Sequence, residues 1–331
     1  MKHTFNNGTA YLGDSLKVVK SLESDSVDCV ITSPPYYQLR DYGYPEQWGL
    51  ESDYKDYLDK MIELMRELKR VLKPTGTMWI NLGDSYMPHN GTRGNQTKAG
   101  SDSLRGNDNI TAIAPKTKRR LNGIPEKSLM LIPHRFAMRC VDELGLILRN
   151  TVIWGKPNGM PESVTDRFTK KHEYIFFFTK NEKYYFDLQS IKDNCLPLNR
   201  WGGNKLVAKG DSKWSEQTGQ PIYRDRNLQA EDGLKNPGDV ADFWEITTKP
   251  SSKSHYATYN SELIIKPLLA GSPLGGFVLD PFGGTGTTAF TAMRYERKFI
   301  YIDANKEYFD AFTKEMKFED SQMRLDFPEA I

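Results

Sequence analysis

Cysteine is scarce in this chain: its 331 residues include only Cys29, Cys140 and Cys195, too widely spaced for a disulfide framework or a zinc cluster. They read as buried or incidental thiols. No apolar run approaches the roughly 18 residues of a membrane span. The first residues, with Asn6, Asn7 and Gly8, carry no apolar stretch of the signal-peptide kind. A soluble, cytoplasmic protein is the expectation. Charge of one sign is lacking too, since 45 Lys and Arg against 43 Asp and Glu leave a net charge of +2. That balance is too mild to show nucleic-acid binding by itself, and local excess of charge matters more. There is no internal repeat and no coiled-coil heptad. What is there is a hydrophobic content of 38% over 331 residues, enough for one large domain and a smaller one.

Helical and strand periodicities alternate along the chain. Thr9–Gly13 and Val27–Thr32 read as strands around a helix at Ser15–Leu22 that Asp14 caps. Tyr57, Met61, Leu64, Met65, Leu68, Val71 and Leu72 recur at helical spacing, and Lys73-Pro74-Thr75-Gly76 should break that helix before a strand at Thr77–Leu82. From His89 to Lys127 the periodicity lapses into a long basic loop with eight Lys and Arg against three Asp and Glu. A helix near Pro133–Leu144 precedes strands at Ile147–Trp154 and Glu173–Thr179. Between Asp187 and Glu245 the chain is again polar and irregular, the candidate insertion. Then come a helix near Asn260–Leu269 that Pro267 should kink, a strand at Gly276–Leu279, a glycine-rich turn, a helix to about Arg294, a strand at Phe299–Ile302 and a helix around Glu307–Phe318. This alternation predicts an α/β sheet with ligands at the carboxyl ends of its strands.

Two signatures sit at such strand ends. Asp280-Pro281-Phe282-Gly283-Gly284-Thr285-Gly286-Thr287-Thr288 follows one strand and leads into a helix, so a ligand can approach the backbone closely and meet helix N-terminal N–H groups. A Walker phosphate loop would need Lys after Gly286, where Thr287 stands, and the dinucleotide pattern lacks its third glycine. One helix later, Asp303 ends an apolar strand, placed either to cap the next helix or to bond ribose hydroxyls. The second signature, Thr32-Ser33-Pro34-Pro35-Tyr36, ends another strand. Two prolines fix φ and stiffen the turn around a serine and an aromatic ring. Alone, it reads equally as a polyproline turn.

Together, and in this order, the two signatures resemble the beta class of S-adenosylmethionine-dependent DNA amino-methyltransferases, whose catalytic half precedes the cofactor half. The resemblance covers most of residues 9–85, 149–180 and 255–318. It implies a Rossmann-like, circularly permuted α/β fold: a mostly parallel seven-stranded sheet with helices on both faces. Residues 1–186 would form the catalytic half, with a basic loop at 88–127, residues 187–250 a target-recognition insertion, and residues 251–331 the cofactor half. For the cofactor S-adenosylmethionine it implies contacts from Asp280, Phe282, Gly284, Gly286 and Thr287, the ribose acid Asp303, and Asp14 near the adenine amine. Ala257 and Thr258 would close over the methionine end, in a segment where Tyr256 replaces the usual proline. Asn150–Asn158 and His172-Glu173 match a segment lining the base pocket.

Methylating an exocyclic amine is difficult because its lone pair is delocalised into the ring. Acceptors on the amine hydrogens, here the Ser33 hydroxyl and the Pro34 carbonyl, would localise that pair. Tyr36 would stack on a base flipped from the duplex. Ser33, Pro34, Pro35 and Tyr36 are thus the expected catalytic residues, and the Ser-Pro-Pro-Tyr spelling leans toward cytosine N4, with adenine N6 the alternative. A carbon-5 enzyme would need a cysteine after a proline, and none of the three qualifies. A non-catalytic nucleic-acid-binding subunit would not be expected to keep both turns intact. Double-stranded DNA is the expected partner, with a restriction endonuclease acting at the same site, and the chain a monomer or homodimer. Lys118, Arg119 and Arg120 would clamp the backbone, and Arg200, Arg224 and Arg226, beside Trp201, Trp214 and Tyr223, would read the target. No metal is expected.

Overall fold

A computed structural model describes residues 1–41, 43–44, 47–87, 123–191, 241–248 and 260–326, with side chains to 319. The basic-loop residues Lys118, Arg119 and Arg120, the insertion residues Arg200, Arg224 and Arg226, and Ala257, Thr258 and Cys195 lie outside them. The chain divides into two compact units, one formed by Met1–Phe186 with Asp242–Ile331, the other by Asp187–Ala241. In the second, Gln189–Ile191 makes one 3-10 turn.

The first unit is built on strands β1 (Lys2–Phe5), β2 (Gly8–Leu12), β3 (Val27–Thr32), β4 (Leu72–Leu82), β5 (Ile147–Gly155), β6 (His172–Thr179), β7 (Phe243–Glu245), β8 (Phe277–Asp280) and β9 (Lys298–Asp303). They form one sheet in the order β1-β2-β9-β8-β3-β4-β6-β5-β7. Of the pairings, β1 with β2, β4 with β6 and β5 with β6 are antiparallel and the rest parallel. The described sheet therefore has nine strands where seven were expected, because two short strands extend its edges. The first, β1, folds back on β2 through Asn6 and Asn7. The other, β7, comes from residues expected to end the insertion, and lies beside β5.

Among the described residues, six helices cover the sheet: α1 (Ser15–Ser21), α2 (Tyr54–Val71), α3 (Ile132–Asp142), α4 (Ser261–Gly271), α5 (Thr287–Arg294) and α6 (Lys306–Asp326). Alternation along each strand sends side chains to opposite faces. Val30, Met78, Phe176 and Phe178 pack with Val19, Met61, Leu68 and Phe136 of α1 to α3. Ile31, Trp79, Ile175 and Phe177 pack with Leu263, Ile264, Leu268, Ala292 and Phe312 of α4 to α6. The central strand β3 is buried along its whole length, as a strand covered on both faces must be.

Local chemistry sets the helix ends. Asp14 caps α1 by accepting from the Lys17 N–H, Asp53 starts α2 at Tyr54, three residues before the periodicity does, and Asn260 caps α4. The helix stops where Lys73-Pro74-Thr75-Gly76 was expected to break it, but the strand starts before Thr77: α2 ends at Val71 and passes directly into β4, and the four residues bulge between the pairs Val27 with Leu72 and Cys29 with Thr77. Lys73 then reaches back to the Asp28 carboxylate at 2.8 Å. The fourth helix runs through Pro267 to Gly271. Cys29 and Cys140 are free and buried, and burial pushes the Cys29 thiol up to about 12. No helix among the described residues is long and apolar enough to cross a membrane.

Phe178 is fully buried whereas Phe168 is 97% exposed. Phe178→Ala should therefore cost about 3–5 kcal/mol of stability and Phe168→Ala less than about 0.5, read from denaturant midpoints. Equal shifts would contradict the assigned core.

Candidate active site

The parallel strands β3, β4, β8 and β9 end on one edge of the sheet, and the antiparallel β6 begins there. The two signature turns consequently meet although 248 positions separate Thr32 from Asp280, whose side chains are hydrogen-bonded at 2.7 Å. Asp280 is buried and also accepts from the Phe282 N–H at 3.0 Å and the Thr288 hydroxyl at 2.7 Å. Burial raises its pKa, opposed by these three donors. Its carboxylate is thus spent inside the protein, holding the turn.

Within the glycine turn, each glycine meets a different constraint. A Cβ on Gly283 would strike the Tyr301 ring at 2.3 Å, and one on Gly286 the Phe312 ring at 2.2 Å. Gly284, at φ +51°, would instead point a Cβ into open space. Its N–H donates to Asp303 at 2.7 Å, and its carbonyl accepts from the Tyr301 hydroxyl at 2.7 Å. Asp303 also accepts from the Asn305 N–H at 2.7 Å, so it braces the turn while Asn305 caps α6 through the Glu307 N–H. Burial pushes the Asp303 carboxyl up to about 6. Thr287 opens α5, its hydroxyl 3.3 Å from that of Thr285.

The Asp14 end of α1 adjoins this turn, since the Ser15 hydroxyl donates to the Pro281 carbonyl at 2.5 Å. Asp14 accepts from the Trp48 indole at 3.1 Å, and Trp48 packs edge-on against Phe282 at 5.3 Å. Asp14, Phe282, Gly284 and Asp303 therefore surround one region. Trp48 has no signal in the sequence, because it lies in an aperiodic connection.

At the Ser-Pro-Pro-Tyr turn, the Ser33 hydroxyl lies 3.3 Å from Asn81 Oδ1 and 3.5 Å from the Tyr36 hydroxyl. Tyr36 is 3.0 Å from Asn81 Oδ1 and donates to Glu173 Oε2 at 2.6 Å. Asn81 spends its amide N–H on the Tyr174 carbonyl at 3.1 Å, which aims its oxygen at the turn. The other Glu173 oxygen pairs with Lys156, whose ammonium lies 4.1 Å from the centre of the Trp154 ring. The Tyr57 hydroxyl of α2 donates to the Pro35 carbonyl at 2.9 Å, and Gly83 leaves room for the Tyr36 ring, which a Cβ there would approach to 2.7 Å. Pro34 is buried beside them. Sequence reasoning flagged Lys156 and Glu173 only as parts of a segment and missed Asn81 and Gly83. The available signal was a polar residue and a glycine at the end of an apolar strand.

A family model described as DNA methylase, covering N6 and N4 enzymes, matches residues 27–314. The chain is 36% identical over 318 residues to the Type II methyltransferase M.Cfr9I of Citrobacter freundii, covering 96% of this chain and 90% of that one. It is 35% identical to M.SmaI of Serratia marcescens, over 90% of this chain and 86% of the relative. Among solved structures, the PvuII DNA methyltransferase, described as cytosine-N4-specific, matches with a TM-score of 0.59 at 18% identity over 97% of this chain and 93% of that one. A putative DNA modification methylase of Thermus thermophilus, solved with S-adenosyl-L-methionine, matches with a TM-score of 0.54 at 21% identity, covering 94% and 95%. The chain belongs to the N6 and N4 DNA methylase family.

Asp303 gives the site a pH signature. Its folded pKa of about 6 exceeds the usual 3.8, so the stability it contributes is fully present below about pH 4 and is lost as the pH rises through 6. Relative to Asp303→Asn, the wild type should lose on the order of 2 kcal/mol between pH 4 and 7, measured by denaturation at both values. A parallel pH dependence of the two proteins would remove Asp303 as its source.

Proposed function

We propose that this DNA methyltransferase modifies the exocyclic N4 of a cytosine flipped out of double-stranded DNA. The observation that carries the reading is the Thr32–Asp280 hydrogen bond, which fixes the Ser33–Tyr36 turn beside the glycine turn. S-adenosylmethionine fits the second turn because the space beside Gly284 is open and is bordered by Asp303, Asp14 and Phe282. When bound, it supplies an activated methyl group, whose S–C bond breaks as the new N–C bond forms. Asp303 would take the ribose hydroxyls, and the backbone at Gly284 and Gly286 with Thr287 the methionine end.

Ser33 and the Pro34 carbonyl accept the amine hydrogens and localise the nitrogen lone pair, and Tyr36 offers its ring to the flipped base. Base-aromatic stacking is worth about 1–3 kcal/mol, enough to offset part of the few kcal/mol of extrusion. Holding the amine in line with the methyl group can supply roughly 7–11 kcal/mol of the barrier. The serine favours cytosine over adenine. Mass spectrometry of nucleosides after incubating the protein with labelled S-adenosylmethionine and mixed-sequence duplex DNA should reveal N4-methylcytosine. N6-methyladenine in its place would transfer the same turn to adenine, and 5-methylcytosine would overturn the mechanism.

Contacts to DNA outside the base pocket fall to two polar segments. Lys118, Arg119 and Arg120 hold the backbone, whereas Arg200, Arg224 and Arg226 in the Asp187–Ala241 unit read the target, which a restriction endonuclease would share. Replacing Lys118, Arg119 and Arg120 together by Ala should weaken binding alike on all sequences and reduce the slope of log affinity against log salt by about 3. An altered target sequence in that variant would contradict the division.

A further inference from the structure

We propose that Glu173 is the terminal proton acceptor for the methylated amine, reached through the Ser33 hydroxyl and the Tyr36 phenol. The inference rests on the reading that an exocyclic amine occupies the Ser33–Tyr36 turn. An amine nitrogen that gains a methyl group must give up one hydrogen: its lone pair enters the N–C bond, and the electrons of one N–H bond return to nitrogen as the proton leaves. The groups nearest that proton are poor places for it to stay. Asn81 offers an amide oxygen and Ser33 a hydroxyl, neither a base at neutral pH. Glu173 is the carboxylate joined to this cluster by a hydrogen bond, at 2.6 Å from the Tyr36 hydroxyl.

The proton path is short. The amine proton passes to Ser33 Oγ, the Ser33 proton to the Tyr36 hydroxyl oxygen 3.5 Å away, and the Tyr36 proton to Glu173 Oε2. Serine and tyrosine end neutral, and Glu173 later releases its proton to water. The longer first contact is of the kind that tightens when substrate fills a site. Lys156 occupies Glu173 Oε1 and leaves Oε2 to Tyr36. Lys170 and His172 also act on Glu173 electrostatically, and burial holds both below their ordinary values. Glu173 thus faces Lys156 from just past β5, Tyr36 from the turn after β3, and Lys170 and His172 from its own side.

The test uses the full chain, saturating S-adenosylmethionine and a duplex carrying the site found by sequencing DNA from cells that express it. Glu173→Gln keeps an acceptor for the Tyr36 hydroxyl but cannot hold the proton, and Tyr36→Phe keeps the stacking ring but breaks the path. Each should slow single-turnover methylation by about 100-fold, and the double variant should be no slower than either. Calorimetric affinities for S-adenosylmethionine and for the duplex should stay within about twofold of wild type. A Glu173→Gln rate within about threefold of wild type would overturn the relay while leaving amine methylation standing. Failure of the wild type to methylate an exocyclic amine would instead remove the reading beneath it.

Discussion

The site depends on one buried carboxylate. Asp280 accepts from Thr32 at the end of β3, from Phe282 in its own turn and from Thr288 in the helix beyond. Removing one partner of such a group leaves another buried and unsatisfied, at about 1–3 kcal/mol or more for a charged acceptor. The bond to Thr32 is therefore more than a local brace. It sets the distance between the turn that would grip the base and the turn that would grip the methyl donor. Because β3 and β8 are adjacent parallel strands, sheet register delivers both residues to the same edge.

Around this buckle, positions that look alike in sequence do different work. Gly283 and Gly286 make room for Tyr301 and Phe312, whose stacked rings lie 3.9 Å apart in the core. Gly284 alone of the three faces open space. Packing explains two of the glycines and leaves the third to the ligand. The same separation appears at the other turn, where Tyr57 and Gly83 serve the shape of the turn and Asn81 and Glu173 accept from the Tyr36 hydroxyl.

Strands rich in apolar residues, such as Val27–Thr32 and Ile175–Phe178, were legible in the sequence because burial on both faces leaves little room for polar residues, of which Asp28 and Thr32 are each held by a partner. Asp14 was legible as a cap for a local reason, its reach to Lys17. The bulge at Lys73–Gly76 was not, since a proline and a glycine signal a break without saying that the next strand can absorb it. Nor were β1 and β7, whose short, half-exposed patterns carry little periodicity. At the site, both turns were readable from their own residues. Asn81, Gly83 and Trp48 act through neighbours brought from 34 or more positions away, which local spacing cannot show.

The electrostatics of the cofactor edge follow from how its acids are held. Asp280 and Asp303 owe their raised pKa values first to burial, and their partners are hydroxyls and backbone N–H groups. Such donors stabilise a carboxylate without cancelling its charge. Asp303, at about 6, is mostly ionised at neutral pH, so the edge carries negative potential into a region of low dielectric. A cationic ligand, such as a sulfonium, would relieve that cost. An anionic phosphate would add to it. The missing Walker lysine and the two buried acids therefore point the same way: this glycine turn suits a positively charged methyl donor better than a nucleotide phosphate.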